Sequence, residues 1–252
     1  MNDAELIDVL GARGGIVCAV GAGGKKTTLY RLLRAHPGHV AFTSTVFTRV
    51  FPDDLPAVPV VASPDSVVDA ALAAARSQRK IAFASPSDKP GRLAGLAPDD
   101  VARCHREGRF DATFVKADGA RMRLIKAPDT HEPNLVPGTA TVLALVSARV
   151  IGLPLTSRCA HRPECISAVT GAQDGEALTP LHVARLIASP DGLLRGVGAA
   201  RVVPIISMAE GARERAAARE AAHIALGLSE RYAYVVVAAM RSDPPGVEVV
   251  AR

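Results

Sequence analysis

The chain has no tryptophan, and aromatic residues make up 4% of its 252 residues. Its core must therefore be built from Ala, Val and Leu. Basic side chains interleaved with aromatics, the stacking signature of a single-strand nucleic-acid binder, are missing. The net charge of +5 is mild and suits small anions, so nucleic acid is not an expected partner. The most apolar stretch, residues 140–146, runs into Ser147 and Arg149 and is too short to cross a membrane. No basic segment followed by an apolar run opens the chain, so no signal peptide is expected. The four cysteines, Cys18, Cys104, Cys159 and Cys165, form no C-x-x-C pair. Free thiols in a reducing cytoplasm are the expectation. Hydrophobic residues at 48% and charged residues at 22% describe an ordinary soluble globular chain.

What is present is concentrated first in residues 17–30. A buried-strand pattern leads into Gly21, Ala22, Gly23 and Gly24, then Lys25, Lys26, Thr27 and Thr28, and a helix follows. Glycines let backbone N–H groups approach a phosphate, and the helix start adds unpaired N–H groups and a positive dipole end. The strict G-x-x-x-x-G-K-[ST] spacing fails, because Ala19 stands where the first glycine belongs and Lys26 follows Lys25. Two lysines oppose the dipole at a helix start, which points to an anion there. The plainer reading is a glycine turn between a buried strand and a basic helix.

Strand patterns alternate with helix patterns along the whole chain. Strands are predicted at 16–20, 40–43, 58–61, 80–84, 110–117, 141–146, 201–206, 232–238 and 247–250, with 58–61 and 247–250 as edges. Helices are predicted at 4–10, 27–35, 63–76, 98–106, 179–188 and 209–226, the last ended by Gly227. The expected fold is α/β, a doubly wound, mostly parallel sheet of P-loop NTPase-like topology. Residues 1–252 read as one domain. The single candidate boundary, near 150, would separate a nucleotide-binding core (12–150) from a C-terminal α/β part (151–252).

Residues 110–119 form a strand that ends in Asp118-Gly119. An acid at the C-terminal end of such a strand can meet Mg²⁺ in phosphate-loop proteins, and ligands gather at that edge of open sheets. An Asp-Gly turn is the plainer alternative. The next stretch, 120–137, is irregular but carries Arg121, Arg123, Lys126, His131 and Glu132. Arg and Lys there could clamp phosphates, while His131 and Glu132 could bind metal or move protons. Cys159, His161 and Cys165 stand close together, but their spacing matches no common zinc pattern, and incidental thiols are expected.

Taken together, these motifs resemble the YqeC-like family, P-loop-type accessory proteins of selenium-dependent molybdenum hydroxylases. The residues that carry the resemblance are Val20 through Lys25 with Thr27-Thr28, then Ala117-Asp118-Gly119-Ala120-Arg121, then Lys126-Ala127-Pro128, His131-Glu132-Pro133 and Pro137. Gly152-Leu153-Pro154-Leu155 and His161-Arg162-Pro163-Glu164 extend it, so it spans most of the chain. This sequence departs from the family pattern at Lys116, where many members have Glu, at the doubled Lys25-Lys26, and at Asn134-Leu135-Val136. The resemblance implies nucleotide-dependent help in maturing a molybdenum hydroxylase, through its cofactor, its metal or its sulfur or selenium ligand.

Three functions follow as expectations. The first is an ATP- or GTP-using accessory enzyme. Residues 21–28 and Arg121 would hold the nucleotide, and Thr27 or Thr28 with Asp118 would hold Mg²⁺. Asp118, Lys126, His131 and Glu132 would do the chemistry. The second is a chaperone without catalysis that holds a phosphate-bearing cofactor such as a pterin nucleotide. The third is a small-molecule kinase or nucleotidyltransferase. No N-K-x-D signature for guanine appears, since residues 203–206 run into Ser207-Met208-Ala209-Glu210. Oligomeric state is left open by the sequence.

Overall fold

Unbroken apolar runs such as Ile16-Val17-Cys18-Ala19-Val20 fit strands covered on both faces. A computed structural model describing residues 1–252 places them so. In chain order the first half contains α1 (Asp3–Val9), β1 (Gly15–Gly21), α2 (Lys25–Ala35), β2 (Val40–Ser44), β3 (Thr48–Arg49), β4 (Val58–Val61), α3 (Val67–Ala75), β5 (Lys80–Ala84), β6 (Arg92–Leu93), α4 (Pro98–Glu107) and β7 (Ala112–Lys116). The second half contains β8 (Ile125–Lys126), β9 (Thr139–Ser147), β10 (Ala160–His161), α5 (Pro163–Thr170), α6 (Pro180–Ala188), β11 (Arg201–Ser207), α7 (Ala212–Leu228), β12 (Tyr234–Ala239) and β13 (Gly246–Ala251).

Nine strands form one sheet in the order β13-β12-β11-β9-β1-β7-β2-β5-β4. Every neighbouring pair is parallel except β12 with β13. Strands from before and after residue 150 share this sheet. β7, β2, β5 and β4 lie on one side of β1 and β9, β11, β12 and β13 on the other, so the order reverses at β1. Ligands of open α/β sheets collect beyond the strand ends at such a point. The strand leading to Asp118, β7, lies directly against β1.

Side-chain alternation splits the core in two. Val17 and Ala19 of β1 pack with Leu6 and Ile7 of α1, Leu10 just after it, and Leu29, Leu32 and Leu33 of α2. Ile16, Cys18 and Val20 face the other way, into a layer that includes residues of α3 to α7. The sheet is thus covered on both faces, as doubly wound folds require.

Helix ends differ from expectation where a local signal is overridden. The sequence ends α7 at Gly227, yet the helix runs through it to Leu228. A buried stripe of Ala218, Ala221, Ala222, Ala225 and Leu226 outweighs the roughly 1 kcal/mol cost of one helical glycine. The helix predicted from residue 63 begins at Val67, because Ser63 first closes a turn by accepting the N–H of Ser66 and of Val67. Helix α5 and the short β8–β10 pairing carry too little periodicity to be predicted.

Leu32 is fully buried between α1 and the sheet. Leu32→Ala is expected to destabilise the fold by about 2–5 kcal/mol, read as a lower urea midpoint with an unchanged slope.

Candidate functional site

The loop after β1 depends on glycine. Gly21, Gly23 and Gly24 all have left-handed backbones, with φ of +85°, +77° and +86°. A Cβ at Gly21 would lie 2.1 Å from the Leu145 carbonyl oxygen, and one at Gly23 would lie 2.7 Å from Ser147 Cβ. The loop therefore lies flat on the end of β9, where the Ala22 N–H donates to the Leu145 carbonyl at 2.9 Å. The Ser207 hydroxyl, at the end of β11, donates to the Gly23 carbonyl at 2.7 Å. Gly24 opens α2, no side chain caps the helix, and its first turn holds no acid. The N–H groups and dipole of that turn lack any side-chain anion.

Successive residues of a helix point about 100° apart, so Lys25 and Lys26 cannot face the same partner. Lys25 turns inward. It is 6% exposed, its Nζ lies 2.7 Å from Asp118 Oδ1, and it also donates to the Gly21 carbonyl. Asp118 is 2% exposed, and its Oδ2 accepts the Gly21 N–H at 2.8 Å and faces Lys126 Nζ at 3.3 Å. Its Oδ1 takes no aligned hydrogen bond, only the Lys25 charge. Lys126, 1% exposed, reaches Glu132 Oε1 at 2.8 Å and donates to the Gly119 carbonyl at 2.6 Å. Arg162 then holds Glu132 Oε2 at 2.7 Å and Asp129 Oδ2 at 3.2 Å. A chain of alternating charge thus runs Lys25–Asp118–Lys126–Glu132–Arg162, buried as far as Lys126 and half-buried at Glu132 and Arg162.

Burial pulls the Asp118 carboxyl up, but the Lys25 and Lys126 charges and the Gly21 N–H outweigh it and hold it below its ordinary value. Burial likewise opposes ionisation of Glu132, and Lys126 and Arg162 overcome it. Both acids stay charged at neutral pH.

On the other side of the α2 start, cations meet without acids. Lys26 is half-buried, and burial, then the charges of Arg49 and Arg92, lower its pKa. Those two arginines are directly opposed in the antiparallel β3–β6 pair, an arrangement that like charges disfavour. Lys116, at the end of β7, is 9% exposed, and its Nζ donates to the Phe47 carbonyl at 2.9 Å. Neither Lys26 nor Lys116 has a carboxylate within 4.0 Å. Burial, then the Lys25 charge, pushes Lys116 down to about 7.

The residues singled out in the sequence fall into different places. Gly21, Ala22, Gly23, Gly24, Lys25 and Lys26 form the loop and helix start; Thr27 is half-buried on it. Thr28 is fully buried, and its hydroxyl has no partner. Asp118, Lys126 and Glu132 come together in the ion-pair chain. Arg121 is exposed at a loop tip beside Met122, and His131 is exposed outside the chain. Sequence reasoning did not meet Arg49 or Arg92, and it gave Ser147 and Ser207 no part in the site. It met Arg162 only in the His161-Arg162-Pro163-Glu164 motif, and Lys116 only as a departure from the family pattern.

The expected pairing of Thr27 and Asp118 around Mg²⁺ does not match these donors. Mg²⁺ requires a near-octahedral set of oxygens at about 2.0–2.1 Å. Asp118 presents its oxygens to two ammonium groups and an N–H instead. No group of three or more His, Cys, Asp and Glu side chains is arranged to hold a metal.

Two outcomes follow. Lys126→Met leaves Asp118 and Glu132 without their shared counter-charge and is expected to cost about 3–5 kcal/mol in urea unfolding. Lys116 has a value of about 7 when folded and an ordinary value of 10.5. Between these the unfolded chain binds more protons, so its contribution makes stability rise from about pH 7 to about pH 10. The rise should be smaller in Lys116→Met, read from urea midpoints across that range.

A family model described as YqeC protein matches residues 17–164. That span holds the glycine loop, Lys116, the whole ion-pair chain from Lys25 to Arg162, and the Arg49–Arg92 pair. A protein of Escherichia coli (strain K12) named "Uncharacterized protein YqeC" is 27% identical over 202 residues, covering 78% of this chain and 77% of the relative. No solved structure matches the chain. The chain belongs to the YqeC family.

Proposed function

We propose that this chain is a nucleotide-binding accessory protein that holds the phosphates of its ligand over the start of α2. The observation that carries the reading is Lys116, a buried lysine with no carboxylate partner, pushed down to about 7 by burial and by the nearby Lys25 charge, so that a bound anion would favour its charged form. An uncompensated buried charge costs several kcal/mol, and an anionic ligand would offset it. The uncapped first turn of α2 adds N–H donors and a positive dipole end at the same place. The glycine loop keeps Cβ atoms out of the approach.

Each residue then has a role. Gly23, Gly24 and the α2 N–H groups receive phosphate oxygens, and Lys26 and Lys116 face them as cations, the ligand drawing Lys116 into its protonated form. Lys25 and Lys126 fix Asp118, which anchors the loop through the Gly21 N–H. The ligand is ATP, GTP or a pterin nucleotide; the lack of an N-K-x-D signature favours adenine or a cofactor nucleotide. The resemblance to accessory proteins of molybdenum hydroxylases supplies the proposed partner, such a hydroxylase or its cofactor.

A holder without catalysis is the second reading, and one observation favours it. Asp118 and Glu132 each lie between two cations, so neither is free to take a proton. His131 is exposed and outside that chain.

Calorimetric titration with ATP, GTP and a pterin nucleotide tests the proposal. At least one should bind, with Lys26→Ala weakening it about tenfold or more and His131→Ala leaving it unchanged. If none binds, the phosphate reading fails. Following released phosphate in the same samples separates the two readings, since a holder gives no turnover with or without the hydroxylase.

A further inference from the structure

We infer that the site takes its phosphates as a metal-free polyanion, with Lys116 and its basic neighbours supplying the charge that a divalent cation would bring. This rests on the phosphate-binding reading above and specifies the form of ligand that reading leaves open.

The first ground is the state of Asp118. It is the acid at the end of β7, beside the α2 start, and Lys25 at 2.7 Å and Lys126 at 3.3 Å already neutralise it. A metal there would have to displace an ammonium from a buried position and leave that ammonium unpaired.

The second ground is position. Residues two apart on a strand share a face, so Lys116 lies with Ala112 and Phe114 on the side of the sheet that α2 covers, and Asp118 follows two residues beyond the end of β7. Where an acid at 116 would add a second metal ligand, this chain has an ammonium. It is held in place by the Phe47 carbonyl at 2.9 Å.

The third ground is charge. Lys25, Lys26, Lys116 and Lys126 face two carboxylates, Asp118 and Glu132. With Lys116 protonated, as a bound anion would favour, the surplus of lysine charge equals that of one divalent ion. Arg49 and Arg92, opposed across the β3–β6 ribbon beside Lys26, add to it from the rim. A phosphate chain that has not spent its charge on a cation is the complementary ligand. A metal-complexed one carries less negative charge and should bind less well in this low-dielectric setting.

The test titrates the full chain with inorganic tripolyphosphate and with ATP by calorimetry, once in excess EDTA and once in excess magnesium. Both ligands should bind in EDTA, and magnesium should weaken them about tenfold. Lys116→Met should weaken binding in EDTA by about tenfold or more while melting no lower than wild type, because it removes a buried amine that has no carboxylate partner. Lys116→Glu should lose binding in EDTA and regain it when magnesium is added. Wild-type binding that requires magnesium would overturn the inference and leave the phosphate reading standing. So would a Lys116→Met protein that binds in EDTA as wild type does. Binding in neither condition would remove the phosphate reading itself, and this inference with it.

Discussion

Asp118 holds two buried lysines at once, and the rest of the site is arranged around that contact. Its carboxylate lies at the junction of β1, β7, α2 and the 120–137 stretch, and each charge in the chain from Lys25 to Arg162 is answered by the next. Such a chain is not a source of large net stability, because desolvation offsets much of the attraction. It fixes geometry: removing any internal member strands a charge in the core. The Gly21 N–H donating to Asp118 makes the glycine loop part of the same construction.

That arrangement divides the lysines into two groups. Lys25 and Lys126 are internal and committed. Lys26 and Lys116 have no acidic partner and share their surroundings with Arg49 and Arg92. The doubled lysine at the helix start, which breaks the usual loop spacing, divides on this geometry: Lys25 is paired with Asp118, and Lys26 has no carboxylate partner. The flat seating of the loop on Leu145 and Ser147 leaves room for nothing larger than glycine at Gly21 and Gly23. Gly21→Ala would disturb the anchor and the approach together.

The sheet was legible because its strands are unbroken runs of Val, Ile, Ala and Leu between glycine and proline punctuation. The edge strand Val58–Val61 could be recognised by its proline. The helix opened by Thr179-Pro180 was legible from its cap. The glycine loop and Asp118 could be paired because both sit at strand ends of a parallel sheet. The roles within the site were less accessible. Whether Asp118 meets a metal or a lysine depends on Lys126, which reaches it only because Ile125–Lys126 pairs with Ala160–His161. Arg49 and Arg92 belong to two-residue strands with no periodicity to read. His131 and Glu132 are adjacent in sequence, which invited a joint role, yet one is exposed and the other is locked between Lys126 and Arg162.

The central claim is that a phosphate-bearing ligand sits on the backbone at the start of α2. Amide chemical shifts measured while ATP is added to isotopically labelled protein test it most directly. The resonances of Gly23, Gly24, Lys25 and Lys26 are expected to move together and saturate, while those of the remote turn glycines Gly171 and Gly175 stay in place. Saturating ATP that leaves the four loop resonances unmoved would contradict the account.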